Sequence, residues 1–97
     1  MTTNHPIGPP SHETLMRTVL DLVARTVDEK PTRIKPDTAL FLSVERFDSF
    51  ALLELVLRLE SAFELSIPDE DLDRDMFSSP QAIVTYLHGR LQSEMSR

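Results

Sequence analysis

A chain of 97 residues with 40% apolar content is long enough for one domain with a modest core, and too apolar to be disordered throughout. It has no cysteine, which excludes disulfides, thiol catalysis and cysteine-held metal from the polypeptide itself. The net charge of −6 is uneven: residues 45–75 hold ten of the sixteen acids and three of the ten bases, a net of −7 against +1 for the rest. Such a field disfavours nucleic acid and anionic lipid; it either attracts basic protein partners or only keeps the domain soluble. The apolar runs are a few residues long, too short for a membrane span or a signal-peptide core, so the expectation is a soluble, cytoplasmic protein with no membrane partner.

Residues 1–10, with Pro6, Pro9 and Pro10 and little apolar content, read as a disordered tail. Ser11 can cap a helix over about 12–28, in which Leu15, Val19, Leu22 and Val23 recur at helical spacing and Met16, Leu20 and Val27 widen the stripe. Pro31 stops it. Residues 29–47 show no period, yet Ile34, Leu40, Phe41, Leu42, Val44 and Phe47 can pin them to a core. A central helix starts at Asp48 as N-cap, with Phe47 and Leu52 placed for a hydrophobic staple, and ends near Glu64 ahead of Pro68. Asp69–Leu72 can form a short third helix, whose acids suit a helix N-terminus. Ser79-Pro80 reads as a cap followed by proline at the first helical position, and Ile83, Val84, Leu87 and Leu91 carry a last helix to about 92, leaving 93–97 as a tail. Strand signals are absent. The expected fold is all-α, a small four-helix bundle with three main helices and a short one, occupying residues 11–92.

On a wheel, Leu52, Leu55, Leu59, Ala62 and Phe63, with Val56 at the edge, form the core face of the central helix. Phe50, Leu53 and Leu57 form a second apolar arc on the other side of Ser49. That arc either packs beneath the long loop or stands exposed as a docking strip flanked by Glu54 and Glu60. Ser49 itself sits in the first turn. If Asp48 caps the helix, the Ser49 hydroxyl is free to react, and a phosphodiester there would lie near the positive end of the helix dipole. Read alone, Asp-Ser is equally an ordinary helix start.

The surroundings add to this. Asp48-Ser49-Phe50, Leu53-Glu54-Leu55, Leu59-Glu60, Phe63, Ile67-Pro68-Asp69-Glu70-Asp71 and a last helix from Ser79 resemble the acyl and peptidyl carrier proteins over residues 12–92. The resemblance implies a non-catalytic protein that receives 4′-phosphopantetheine from coenzyme A, covalently, at Ser49 within the Asp48-Ser49 motif. The arm's terminal thiol would hold an acyl or aminoacyl thioester, which explains how a chain without cysteine takes part in thioester chemistry. The implied partners are a phosphopantetheinyl transferase, a loading enzyme, and downstream synthase, transferase or tailoring enzymes. Carried over by position, Asp48, Glu54, Leu57, Glu60 and Asp69 would meet them, with Phe50 and Leu53 adding apolar contact.

The sequence departs from the family pattern in places. Phe50 replaces the leucine after the serine, Ser43–Phe47 lacks the glycine that precedes the motif, and Asp73–Phe77 lengthens the segment before the last helix. Ala51 and Ser61 stand where carriers of fatty-acid synthesis have acids, and Arg58 adds a positive charge. These differences point to a free-standing carrier, monomeric by default, of polyketide or nonribosomal peptide metabolism. A carrier of primary fatty-acid synthesis and an unmodified helical adaptor docking through Phe50, Leu53 and Leu57 are the alternatives. His5, His12 and His88 are scattered with no metal-ligand spacing, no Gly-x-Ser-x-Gly elbow exists, and two glycines cannot build a phosphate loop.

Overall fold

A computed structural model describes residues 10–95. The expected tail over 1–10 therefore lies almost wholly outside the described residues, as do residues 96–97 of the C-terminal one. Among the described residues the chain is helical with no strand: α1 (His12–Val27), α2 (Leu40–Ser43), α3 (Ser49–Phe63) and α4 (Pro80–Met95), with single 3-10 turns at Pro31–Arg33 and Asp69–Asp71. The three main helices stand where the periodicity put them. The stretch expected to form a short third helix is only the 3-10 turn, and the short α-helix is α2, inside the loop that showed no period.

Each main helix begins for a local reason, and α1 and α3 also end for one. The Ser11 hydroxyl accepts from the Thr14 N–H at 3.2 Å and caps α1. That helix ends four residues before Pro31: Asp28 turns left-handed at φ 58°, and the Glu29 N–H closes onto the Ala24 carbonyl at 2.8 Å. Glu64 ends α3 the same way, at φ 53°. The Ser79 hydroxyl accepts from the Ala82 N–H at 3.1 Å to start α4, with Pro80 at its first position. The last helix runs three residues past its expected end.

The core forms where α1 packs against both α3 and α4. Leu15, Val19, Val23, Ala24 and Val27 of α1 meet Leu55, Val56 and Leu59 of α3 and Ile83, Val84 and Leu87 of α4, all buried. On α3, Ala51, which was not placed on the core face, is buried, whereas Ala62, in the last turn, is exposed, and Leu52 and Phe63 are only half-buried. The connections supply the rest: Ile34, Leu40, Phe47, Ile67 and Phe77 are buried as well. Leu42, expected to pin the loop inward, points out and is 90% exposed, because α2 turns Leu40 and not Leu42 to the core.

The segment after α3 is fastened at three points. The Glu60 carboxylate accepts the Ile67 N–H at 2.7 Å. The Tyr86 hydroxyl donates to Asp71 at 2.7 Å, and Arg90 donates to the Tyr86 oxygen and the Ser66 carbonyl, both at 2.7 Å. Further on, the Leu40 N–H donates to the Ser78 carbonyl at 2.9 Å, tying α2 to the start of α4.

Candidate functional site

The entry to α3 is built from the side chains that precede it. Phe47 is buried and its ring meets Phe41 edge-on, 4.9 Å between centroids. The Arg74 guanidinium lies over the Phe41 ring, 4.5 Å from its centroid. Ser43–Phe47 makes the bend without any residue at positive φ; among the described residues only Asp28 and Glu64 have one. The missing glycine is therefore not required here.

Asp48 then caps the helix as expected, Oδ1 accepting from the Ala51 N–H at 3.0 Å. Ser49 occupies the first helical position, exposed, and its hydroxyl makes no side-chain hydrogen bond. Because Asp48 satisfies the third N–H of the turn, the hydroxyl is not needed for capping. The first N–H groups of α3 have no intrahelical acceptor, and an anion attached to the Ser49 oxygen would lie beside them and the positive helix end. The residues present thus fit a phosphodiester-linked group: a free nucleophilic oxygen, unobstructed, on a rigid helix start.

The second apolar arc resolves in favour of exposure. Phe50, Leu53 and Leu57 are 83%, 51% and 65% exposed, forming one strip behind Ser49. The flanking acids are less available than their positions suggested. Glu54 accepts from both Nη2 and Nε of Arg58, at 2.8 and 3.3 Å, and Glu60 is turned to the Ile67 N–H. The Glu54–Arg58 pairing was readable from its i, i+4 spacing; the Glu60 bond, seven residues long, was not. Asp69 is exposed, but with Ile67 held against Glu60 it belongs to the far end of α3 from Ser49.

Other polar groups do not join this site. His12 and His88, distant in sequence, come together across α1 and α4 with ring centroids 4.2 Å apart, which linear spacing could not show. His5 is outside the described residues, and no group of three or more His, Asp or Glu among them is arranged to hold a metal. An open cleft of about 390 Å³ lies between the end of α1 and the α2–α3 connection, lined by Asp28, Arg33, Ser43 and Arg46 among others, and does not include Ser49. No helix among the described residues is long and apolar enough to cross a membrane.

The family model described as a phosphopantetheine attachment site matches residues 17–87. The D-alanyl carrier protein of Bacillus subtilis is 33% identical over 69 residues, 71% of this chain and 87% of that protein. That of Staphylococcus xylosus is 32% identical over 69 residues, again 71% and 87%. The acyl carrier protein of Bdellovibrio bacteriovorus is 32% identical over 69 residues, 71% of this chain and 85% of its own length. The family implies a covalently attached 4′-phosphopantetheine, whose terminal thiol holds the cargo, and work alongside a phosphopantetheinyl transferase and loading enzymes. The chain belongs to the phosphopantetheine-bearing carrier proteins, a family of non-catalytic, substrate-tethering domains.

Proposed function

We propose that Ser49 is the residue to which the 4′-phosphopantetheine arm is attached, and that the protein presents an aminoacyl or acyl thioester to enzymes of a polyketide or nonribosomal peptide type of pathway. The observation that carries the assignment is the free Ser49 hydroxyl at the head of a helix already capped by Asp48. No other serine combines that position with the Asp-Ser motif: Ser11 and Ser79 both spend their hydroxyls as caps.

An aminoacyl cargo is supported by the similarity to proteins named for carrying D-alanine. The self-neutralised Glu54, together with Ala51 and Ser61 on the same helix, supports a role apart from primary fatty-acid synthesis. Leu53 and Leu57, with Phe50, serve as the partner contact nearest the arm.

The test is intact mass after incubation with coenzyme A and a promiscuous phosphopantetheinyl transferase. One phosphopantetheine should be gained on the peptide containing Ser49, and none by Ser49→Ala, whose melting should match the wild type because an exposed, unbonded hydroxyl is removed. A Ser49→Ala protein that still gains the arm ends the assignment. Loading of the modified protein by amino-acid-activating enzymes, against malonyl or fatty-acyl transfer, then separates the cargo classes.

A further inference from the structure

The segment between α3 and α4 carries one base among its acids. Arg74 stands directly between Asp73 and Asp75, where an arginine would be expected to pair with a carboxylate. Among the described residues it makes no ion pair. Asp73 is turned elsewhere, its Oδ1 accepting the Asp75 N–H at 2.8 Å. The Arg74 guanidinium instead lies over the Phe41 ring, 4.5 Å from the centroid. Phe41, half-buried, stands edge-on to the buried Phe47 at 4.9 Å, and Phe47 is the residue before the Asp48 cap. A chain of contacts therefore runs from the segment before α4 to the helix start that holds Ser49.

That entry has little else to fix it. The bend over Ser43–Phe47 contains no glycine and no positive φ, so packing and not a special turn residue sets its direction. Within it the Val44 N–H donates to the Leu40 carbonyl at 3.2 Å and the Phe47 N–H to the Val44 carbonyl at 3.0 Å. Towards α1, Arg46 reaches Asp28 at 3.6 Å, but both side chains are exposed and such a pair holds little. Towards α4 there are two ties, the Leu40 N–H on the Ser78 carbonyl and Arg74 on Phe41. A cation over an aromatic face at an exposed site favours the closed arrangement by about two- to fivefold, enough to bias a loop and too little to hold a fold. Asp73–Phe77, the stretch that lengthens the approach to α4, thus reaches the same loop that lacks the glycine.

We propose that Arg74 is a positioning residue for Ser49: acting through Phe41 and Phe47, it fastens the segment before α4 to the entry of α3 and keeps the attachment hydroxyl in its accepting position. The two departures of the chain, the lengthened segment and the bend without glycine, then work as one unit. This rests on the reading of Ser49 as the attachment point, and it names what holds that residue ready.

Two measurements on the full chain test it, using Arg74→Ala, Arg74→Lys, Phe41→Leu and the double variant Arg74→Ala/Phe41→Leu. The first is transfer of the arm from coenzyme A by a phosphopantetheinyl transferase. Arg74→Ala should lose about two- to fivefold in kcat/KM, with kcat unchanged and KM for the carrier raised, because only the fraction with an ordered entry is competent to bind. Arg74→Lys, which keeps a cation over the ring, should recover most of that loss. In the Phe41→Leu background Arg74→Ala should cost nothing further, since the ring through which it acts is gone. The second measurement is amide hydrogen exchange. Arg74→Ala should speed exchange at Val44 and Phe47 by about the same factor and leave Val19 and Val23, in the core of α1, at wild-type rates. An equal loss in kcat/KM from Arg74→Ala in both backgrounds overturns the proposal, because a guanidinium that touches the transferase directly would act that way. So does wild-type exchange at Val44 and Phe47 in Arg74→Ala. Arg74 is exposed, so its single variants keep the fold, and exchange decides alone if Phe41→Leu does not fold. A wild-type protein that accepts no arm overturns the Ser49 reading instead; exchange needs no arm and still decides whether Arg74 holds the entry.

Discussion

At the scale of the residue, the proposed attachment at Ser49 turns on a division of labour between Asp48 and Ser49. A serine at the first position of a helix ordinarily competes to satisfy the orphan N–H groups. Here the carboxylate one residue earlier takes the Ala51 N–H, so the hydroxyl has no structural task. Asp48→Ala should lower stability by about 1 kcal/mol, the usual cost of a lost N-cap, while Asp48→Asn, still an acceptor, should lose a few tenths at most. Urea denaturation of both variants measures this. If Asp48→Ala is as stable as wild type, the cap is not what frees Ser49. The same pair was legible in the sequence, because capping is a local matter of one side chain and a backbone N–H three residues on.

At the scale of the element, the segment between α3 and α4 is held by polar contacts as well as by packing. Tyr86, half-buried on α4, donates to Asp71 and accepts from Arg90, which also holds the Ser66 carbonyl. Burial and the Asp71 carboxylate push the Tyr86 phenol above its ordinary value of 10.0, while Arg90 pulls it down. The folded state therefore keeps the proton longer than the unfolded chain does. The stability that this provides is fully present below pH 10 and is lost as pH rises from there through the folded value. Wild-type stability should accordingly fall more steeply above pH 10 than that of Tyr86→Phe. At pH 7 the same variant should be about 1 kcal/mol less stable for its lost hydrogen bonds. Parallel stability curves for the two proteins above pH 10 would rule the latch out. The long-range part of this network was not readable in the sequence: Tyr86–Asp71 and Arg90–Ser66 are 15 and 24 residues apart, only Arg90–Tyr86 having i, i+4 spacing, and the acids of Asp69–Asp71 suggested a helix start when Asp71 bonds to α4.

At the scale of the whole molecule, the sequence showed the helices clearly and the connections poorly, for one physical reason. Hydrophobic period reports which face of a regular element is buried, so α1, α3 and α4 were legible to within a few residues. A residue in an irregular segment has no period, and its burial depends on where the chain returns. Leu42 and Phe77 show the two ways this fails: the first is apolar and 90% exposed, the second sits in a run of charges and is fully buried. Five of the buried core side chains, Ile34, Leu40, Phe47, Ile67 and Phe77, come from outside the three long helices. A domain whose long helices pack through α1 alone, with little direct contact between α3 and α4, needs these side chains to complete its interior. Phe77 is the largest of the fully buried ones, 6.0 Å from the Tyr86 ring and next to the Ser78 carbonyl that ties down α2. Phe77→Ala should therefore cost about 3–5 kcal/mol, as much as truncating a core residue within a helix such as Leu87. Against a total of about 5–15 kcal/mol for a domain of ordinary stability, that leaves the variant marginal. Urea midpoints of Phe77→Ala and Leu87→Ala, measured side by side, check it. A Phe77→Ala protein within about 1 kcal/mol of wild type would mean that the connection only rests on the helices, and that the three of them hold Ser49 in place unaided.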